Sequence, residues 1–475
     1  MNKYEPVIGL EIHLETKTRS KMFSSAPVTY NCSPNSEVVS LDLGEPGSLP
    51  TVNKEAVSKA LQMCSALHMQ IDPVVRFDRK NYFYADLPKG YQITQNEFPI
   101  GRNGYVLIHS ESGEPITIAL ERLHMEEDTA KQIHFADYTL LDFNRAGNPL
   151  VEIVTKPVIR TAFEAMKYVE KIRMIAQYLE ISDGKMEEGS LRCDVNISIR
   201  PTGETKLGTK VEIKNLNSIA NVGKAIEFEI ERQTQALESG EIILQETRRF
   251  DENTRSTLVM RLKTDAVDYK YFRECNILPI SLTDRFIIDS IADSKETPDK
   301  KYLRYTSGFG LSHLEAIKIL ENRELSLYFD ALATHTDQYL SASNFLKGEV
   351  NAFLNANELS YDQLPITIQD LAYIVDILGK GLINNKTARE FFNEVIQTGA
   401  NPFVLYEQSV AQAMSDDELS LIITTILNEN EQSILDYKSG KDRAFGFLIG
   451  QIMKRTAGKA NPQKTNQILR EMLNK

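Results

Sequence analysis

Nothing in this 475-residue chain constrains its fold more than the stretch Val7-Ile8-Gly9-Leu10-Glu11-Ile12-His13-Leu14-Glu15. Ile8, Leu10, Ile12 and Leu14 alternate strictly with Gly9, Glu11, His13 and Glu15. Side chains of a strand point alternately to opposite faces, so a period of two predicts a β-strand with one face buried and the other acidic. The acidic face is the informative one. Two carboxylates and an imidazole stand in a row with no lysine or arginine among them. Like charges placed side by side repel unless a cation lies between them.

The pattern recurs. In Arg122-Leu123-His124-Met125-Glu126-Glu127-Asp128, Arg122, His124 and Glu126 share one face, and Glu127 should turn to the other. Between Leu191 and Ile199 the odd positions are apolar, while Arg192, Asp194 and Asn196 take the even ones. Glu212 stands between Lys210 and Lys214, opposite Val211 and Ile213. Glu152 lies inside the apolar run Leu150–Val154, where a carboxylate without a partner is costly to bury. If these strands share a sheet, Glu11, His13, Glu126, Glu152, Asp194 and Glu212 converge on one basin. Each charged residue taken alone reads as a solvated strand face. The recurrence weighs against that reading.

Residues 1 to about 290 are otherwise strand-rich with inserted helices. Apolar spacing predicts helices over Lys54–Leu67 and Ala162–Glu180, and a heavily charged, solvent-facing helix over Ile219–Glu238. Phe77–Gln92 interleaves aromatic and cationic residues, a combination that can stack on bases and hold phosphates. Arg248-Arg249 and Met260-Arg261-Leu262-Lys263 add basic groups, and Asp142–Pro149 is a turn feeding the Glu152 strand. Polar breaks at Asp293–Lys301 and Thr398–Pro402 divide the rest, which is helical throughout. The fold class is therefore α+β: a strand-rich domain at 1–293, an all-α domain at 294–400 and a small all-α tail at 401–475.

Charge bears on partners. The net charge is −12, unfavourable for a uniform nucleic-acid surface. Yet 366–434 holds ten acidic and three basic residues, and 441–475 holds eight basic and two acidic. The tail is a positive patch on a negative chain, with Lys454, Arg455, Lys459, Lys464 and Arg470 as candidate phosphate contacts. The four cysteines are scattered without a CxxC pair, which fits a reducing cytoplasm. No leader pattern and no apolar run of about 18 residues is present, so no membrane association is expected. Walker A, GxGxxG-to-helix, HExxH and GxSxG patterns are also missing.

Long segments now carry a resemblance. Val7–His13 (VIGLEIH), Phe77–Tyr84 (FDRKNYFY), His124–Asp128 (HMEED), Asp142–Glu152 (DFNRAGNPLVE), Lys185–Asp194 (KMEEGSLRCD), Lys210–Ser218 (KVEIKNLNS), Asp268–Phe272 (DYKYF) and Gly446–Pro462 run in order over nearly the whole chain. They resemble the B subunits of tRNA-dependent amidotransferases. The resemblance implies a cradle, a helical domain and a tRNA-binding tail. It also implies a heterotrimer with a glutamine-hydrolysing A subunit and a small C subunit. The implied activity is that of a carbon–nitrogen ligase. ATP phosphorylates the side-chain carboxylate of Glu-tRNA(Gln) or Asp-tRNA(Asn), and ammonia from the A subunit displaces the phosphate.

On this reading the six acidic-row residues are the catalytic set. Glu11, His13, Glu126, Asp194 and Glu212 are the metal candidates, and Glu152 is also expected near the metal. Mg²⁺ held by carboxylate oxygens neutralises phosphates and aligns the transfer. Lys80, Lys89, Arg192 and Lys214 are the expected phosphate contacts of ATP. Many relatives carry cysteine pairs that bind zinc between the first strand and first helix. Here those positions read Phe23-Ser24-Ser25-Ala26 and Val39-Ser40-Leu41-Asp42, so zinc is not expected. Thr129-Ala130 and Arg273–Asn276 also depart from the family pattern. The competing reading is a non-catalytic tRNA-binding and assembly protein of the same complex, for which an acidic row would serve no purpose.

Overall fold

The computed structural model describes residues 3–29, 31–262, 268–411, 416–439, 441–456, 460 and 462–473. The chain forms two compact units, 1–298 and 299–475. The first is α+β. At its centre lies β1 (Tyr4–Glu15), whose Ile8, Leu10, Ile12 and Leu14 are fully buried. The other main strands are β2 (Pro115–Glu127), β3 (Pro149–Thr155), β4 (Leu191–Pro201), β5 (Val211–Lys214), β6 (Glu246–Asp251) and β7 (Ser256–Leu262). They lie in one ten-stranded sheet in the order β7-β6-β5-β4-β1-β3-β2, with short strands completing the β2 side. All these pairs are antiparallel except β5 with β6. A parallel pair needs a crossover, and here it is helix α3 (Ile219–Ser239).

One face of the sheet is covered by helices. Helix α1 (Lys54–Ala66) starts at Asn53, whose side chain accepts from the amides of Glu55 and Ala56. Helix α2 (Ala162–Tyr178) starts at Thr161 and buries Ala165, Tyr168, Val169, Ile172 and Ile175, a stripe at helical spacing. Helix α3 ends at Gly240 in the left-handed conformation, φ 78°, the usual helix stop. The charge on α3 predicts a solvent-facing helix, and the structure corrects this. Val222, Ala225 and Ile226 are buried, and so are Glu229 and Gln233. Glu229 is buried because it is paired: it accepts from Arg232 and Gln233 and lies 3.1 Å from Arg248.

Residues 16–53 are largely irregular and are tied down by polar side chains. Lys21 is fully buried and bonds Asp42 at 3.1 Å and the carbonyl of Phe143 at 3.3 Å. Ser24 donates to the other Asp42 oxygen at 2.9 Å. The turn 142–149 meets this segment, with Asn144 accepting from the Glu37 amide. Gly147 adopts φ 87°, and a Cβ there would lie 2.9 Å from Asp42 Oδ1, so only glycine suits both the turn and the contact.

The second unit is all helical. Helices Arg323–Ala333, Ile368–Gly379 and Asn385–Thr398 carry most of the first part. Asp330 ties the first of them to the segment before it, accepting from Lys301, Arg304 and Tyr305. Leu419, Ile423, Ile426, Leu448, Ile452, Leu469 and Leu473 form a separate core further along. Phe445 packs against it, whereas Phe447 is 47 % exposed. Residues two apart on a helix point in different directions, whereas Leu448, three from Phe445, shares its inward side.

Candidate functional site

The register turns the alternation into a lattice on the uncovered face of the sheet. Residues directly opposite across a ladder share a face. His13 lies opposite Arg192 on one side and Glu152 on the other, and Glu152 lies opposite His124. Two residues along, Asp194, Glu11, Val154 and Arg122 form the next row. Asn196, opposite Gly9, is also opposite Glu212. Glu126 stands two residues beyond His124 on β2. Glu11, His13, Glu126, Glu152, Asp194 and Glu212 therefore line one cavity of about 450 Å³.

They fall into two groups. In the first, His13 Nε2 is 3.3 Å from Glu152 and 3.6 Å from Glu126. His124 Nε2 reaches the same carboxylates at 3.2 and 3.5 Å. In the second, Asn196 donates to Glu11 at 2.8 Å, Thr247 donates to Glu212 at 2.8 Å, and Lys214 pairs with Asp194 and Glu212. One ligand atom from each of His13, Glu126 and Glu152 lies within 4.8 Å of the others, and the same holds for Glu11, Asp194 and Glu212. Carboxylate oxygens are the hard donors that Mg²⁺ takes, so both groups fit a divalent cation.

Neighbouring charges compete with burial in setting the protonation. Burial pulls the His124 imidazole down, but Glu152 and Glu126 outweigh it and push its pKa up to about 9. His13 is raised in the same way, against burial, chiefly by Glu152. The imidazolium charges hold Glu152 well below the usual carboxylate range, and Glu126 below it too, although burial opposes both. Glu11 is shifted the other way, by burial and by the neighbouring Glu152 and Asp194. Without a cation the two imidazoles thus favour ionised Glu126 and Glu152, whereas ionisation of Glu11 is disfavoured; a cation bound at His13 would take the place of its proton.

The expected phosphate contacts divide. Lys80 and Lys214 line the cavity. The Lys80 ammonium makes no hydrogen bond or ion pair among the described residues, and it lies 4.9 Å from the ring centre of Tyr269. Lys89 and Arg192 are committed elsewhere. Glu127, turned to the opposite side by the alternation, is buried and receives Lys89 on both oxygens at 2.6 and 2.7 Å. Arg192 donates to buried Asp128 at 2.8 Å. Neither is among the residues lining the cavity. In the tail, Lys454 and Lys464 are exposed, Arg455 pairs with Glu429 at 2.9 Å, and Arg470 lies over the Phe445 ring. Lys459 lies outside the described residues, as does Lys263.

Several lining residues go beyond the expected set. His124 and Arg122 share the polar face of β2 with Glu126, and that position was their signal. Thr94 donates to Glu126 at 3.2 Å, from a strand whose sequence carries no such mark. Arg261 continues the lattice on β7, opposite Thr247 and so in the row of Glu212, while Tyr269 and Tyr271 reach the cavity from the segment beyond the sheet's last strand.

Comparison with known proteins bears on the family. A family model described as the GatB/GatE catalytic domain matches residues 6–288, and one described as the GatB domain matches 327–473. The chain is 47 % identical over 474 residues to the B subunit of the aspartyl/glutamyl-tRNA(Asn/Gln) amidotransferase of Macrococcus caseolyticus, covering 99 % of each chain. It is 46 % identical over 472 residues to the proteins of the same description from Bacillus cereus and Bacillus mycoides, again covering 99 % of each.

Proposed function

The chain belongs to the GatB family, and from that premise we propose that it is the B subunit of an aspartyl/glutamyl-tRNA(Asn/Gln) amidotransferase. It is then a carbon–nitrogen ligase acting on aminoacyl-tRNA within a multi-subunit complex, with an A subunit releasing ammonia and a small C subunit. Its substrates are Glu-tRNA(Gln), Asp-tRNA(Asn) or both, with ATP as the phosphate donor, and its place of work is the cytoplasm. The tail beyond residue 401, with a core of its own, serves as the tRNA-binding domain.

The observation that carries the catalytic reading is the pair of oxygen-rich clusters facing cations in one cavity. Mg²⁺ held by His13, Glu126 and Glu152, or by Glu11, Asp194 and Glu212, would neutralise phosphate charge and align the transfer. The chain supplies the rest. Lys80 and Arg122, both lining the cavity, offer positive charge to the incoming triphosphate. Asn196 and Thr247 fix the carboxylates of Glu11 and Glu212 from behind. The γ-phosphoryl passes to the side-chain carboxylate of the charged tRNA. Ammonia then attacks the acyl carbon, inorganic phosphate leaves, and the amide remains.

The test reconstitutes the chain with its A and C subunits and follows γ-phosphate transfer to Glu-tRNA. Glu126→Gln and Asp194→Asn should each lower tRNA-dependent ATP hydrolysis ~100-fold or more, with the complex still assembling. Near-normal hydrolysis in both variants would favour the non-catalytic assembly role instead.

A further inference from the structure

The cavity lining is polar and charged almost throughout, yet it carries two tyrosines, Tyr269 and Tyr271. Both sit on one turn, which is held with unusual care. Asn81 donates its amide to the Tyr269 carbonyl at 3.0 Å and its side chain to the carbonyls of Tyr269 and Lys270 at 3.3 and 2.8 Å. Lys270 between them adopts φ 43°, a left-handed conformation costly for a residue with a side chain. The Asp268 carboxylate accepts from the Lys270 amide at 2.8 Å. Strain maintained by the surroundings is found where a side chain must be aimed. Here it presents alternate residues, Tyr269 and Tyr271, to the same cavity.

Packing accounts for Tyr269, whose ring meets Tyr82 edge-on at 6.1 Å and lies under Lys80, but not for Tyr271. Tyr271 remains 40 % exposed although it lines the cavity. Its ring meets Tyr269 edge-on, with centroids 6.0 Å apart and planes at 68°, so the two rings do not face one another. Lys80 stands beside Tyr269 on the neighbouring strand. A phosphate-binding cation next to an open aromatic face, at a cavity with two candidate metal clusters, matches a ligand with a polyanionic end and a flat heterocycle.

We propose that Tyr271, propped edge-on by Tyr269, offers a stacking face to an adenine ring, with Lys80 holding the phosphate that precedes it. This rests on the function proposed above, whose two phosphate-bearing substrates both supply adenine: ATP through its base, and the charged tRNA through its 3′-terminal adenosine. The chemistry recognised is the same in each case.

The chain contains no tryptophan, so Tyr271→Trp places a single indole at the platform without removing its aromatic face. The full-length Tyr271→Trp chain is titrated with Mg-ATP, with a CCA trinucleotide and with inorganic tripolyphosphate. Quenching by Mg-ATP or by CCA, with none from tripolyphosphate, supports the platform and identifies the source of the base. In the assembled complex, Tyr271→Ala should raise KM for that same ligand by about 5- to 150-fold, the range that base–aromatic stacking spans. Tyr271→Phe should restore it, which a folding defect would not allow. Equal KM values for Tyr271→Ala and the parent, or quenching by tripolyphosphate alone, overturn the platform. Glu126→Gln assayed alongside separates the two ideas: its loss of activity with an indifferent Tyr271→Ala leaves the function standing without the platform.

Discussion

Lys89 and Glu127 occupy a place that neither charge could hold alone. The glutamate side chain is 2 % accessible and the lysine 9 %. Glu127 also accepts the Ile93 amide at 2.9 Å. Replacing Lys89 by Met would strand a buried carboxylate, at a cost of roughly 3–5 kcal/mol. Thermal unfolding of Lys89→Met should therefore show a clear loss of stability, and an unchanged midpoint would mean that the pair is not buried in solution. At this scale the alternation marked which side chains share the lattice, including the outward turn of Glu127. It could not mark partners. Lys89 looked available to phosphate because its glutamate arrives from a strand 38 residues away. His124 was visible on the right face, but its position between two carboxylates depends on the β2–β3 register.

Helix α3 shows how charge misleads about an element's environment. Its interior face carries Glu229, which bonds Arg232, Gln233 and Thr257. Burial would raise the Glu229 pKa, but these donors outweigh it and hold it below the usual carboxylate value of 4.5. A depressed folded-state pKa stabilises above the unfolded value and loses that contribution as pH falls through the folded one. Glu229→Gln should therefore be less stable than the parent at neutral pH, by roughly 3–5 kcal/mol. The gap should narrow as pH falls below about 4.5; urea unfolding at a series of pH values measures it, and a constant gap would rule out an ionised Glu229. Helix Asp442–Arg455 offers the complementary case. Leu448→Ala should cost roughly 2–5 kcal/mol because the side chain is wholly buried. Phe447→Ser, on the exposed side, should change little; equal losses by circular dichroism melting would contradict the assigned face. The helices themselves were legible from spacing and caps. Which face of α3 is buried was not, because Glu229 is paired partly by Arg232 on its own helix and partly by Arg248 and Thr257, which only the fold brings to it.

Two compact units, 1–298 and 299–475, hold different chemistry. The acidic lattice lies in the first, and the basic terminal run in the second. Removing the chain from about residue 405 onward should weaken binding of charged tRNA and flatten its salt dependence. The slope should fall by roughly 0.7–0.9 log units per lost phosphate contact. Filter binding across a salt series, with full-length and truncated complexes, measures this. Identical slopes would show the basic run to be solvated surface only. Strand order has one more consequence, in time. The central strand β1 is made first, but its cross-links come late: Leu10 to Thr155 spans 145 residues and Glu11 to Asn196 spans 185. A ribosome adds about 5–20 residues per second. The central strand, with one wholly apolar face, thus spends on the order of ten seconds or more as an orphan, its hydrogen-bonding edges open on both sides, before either neighbour exists. Nascent chains stalled before residue 149 should be the species that chaperones hold longest.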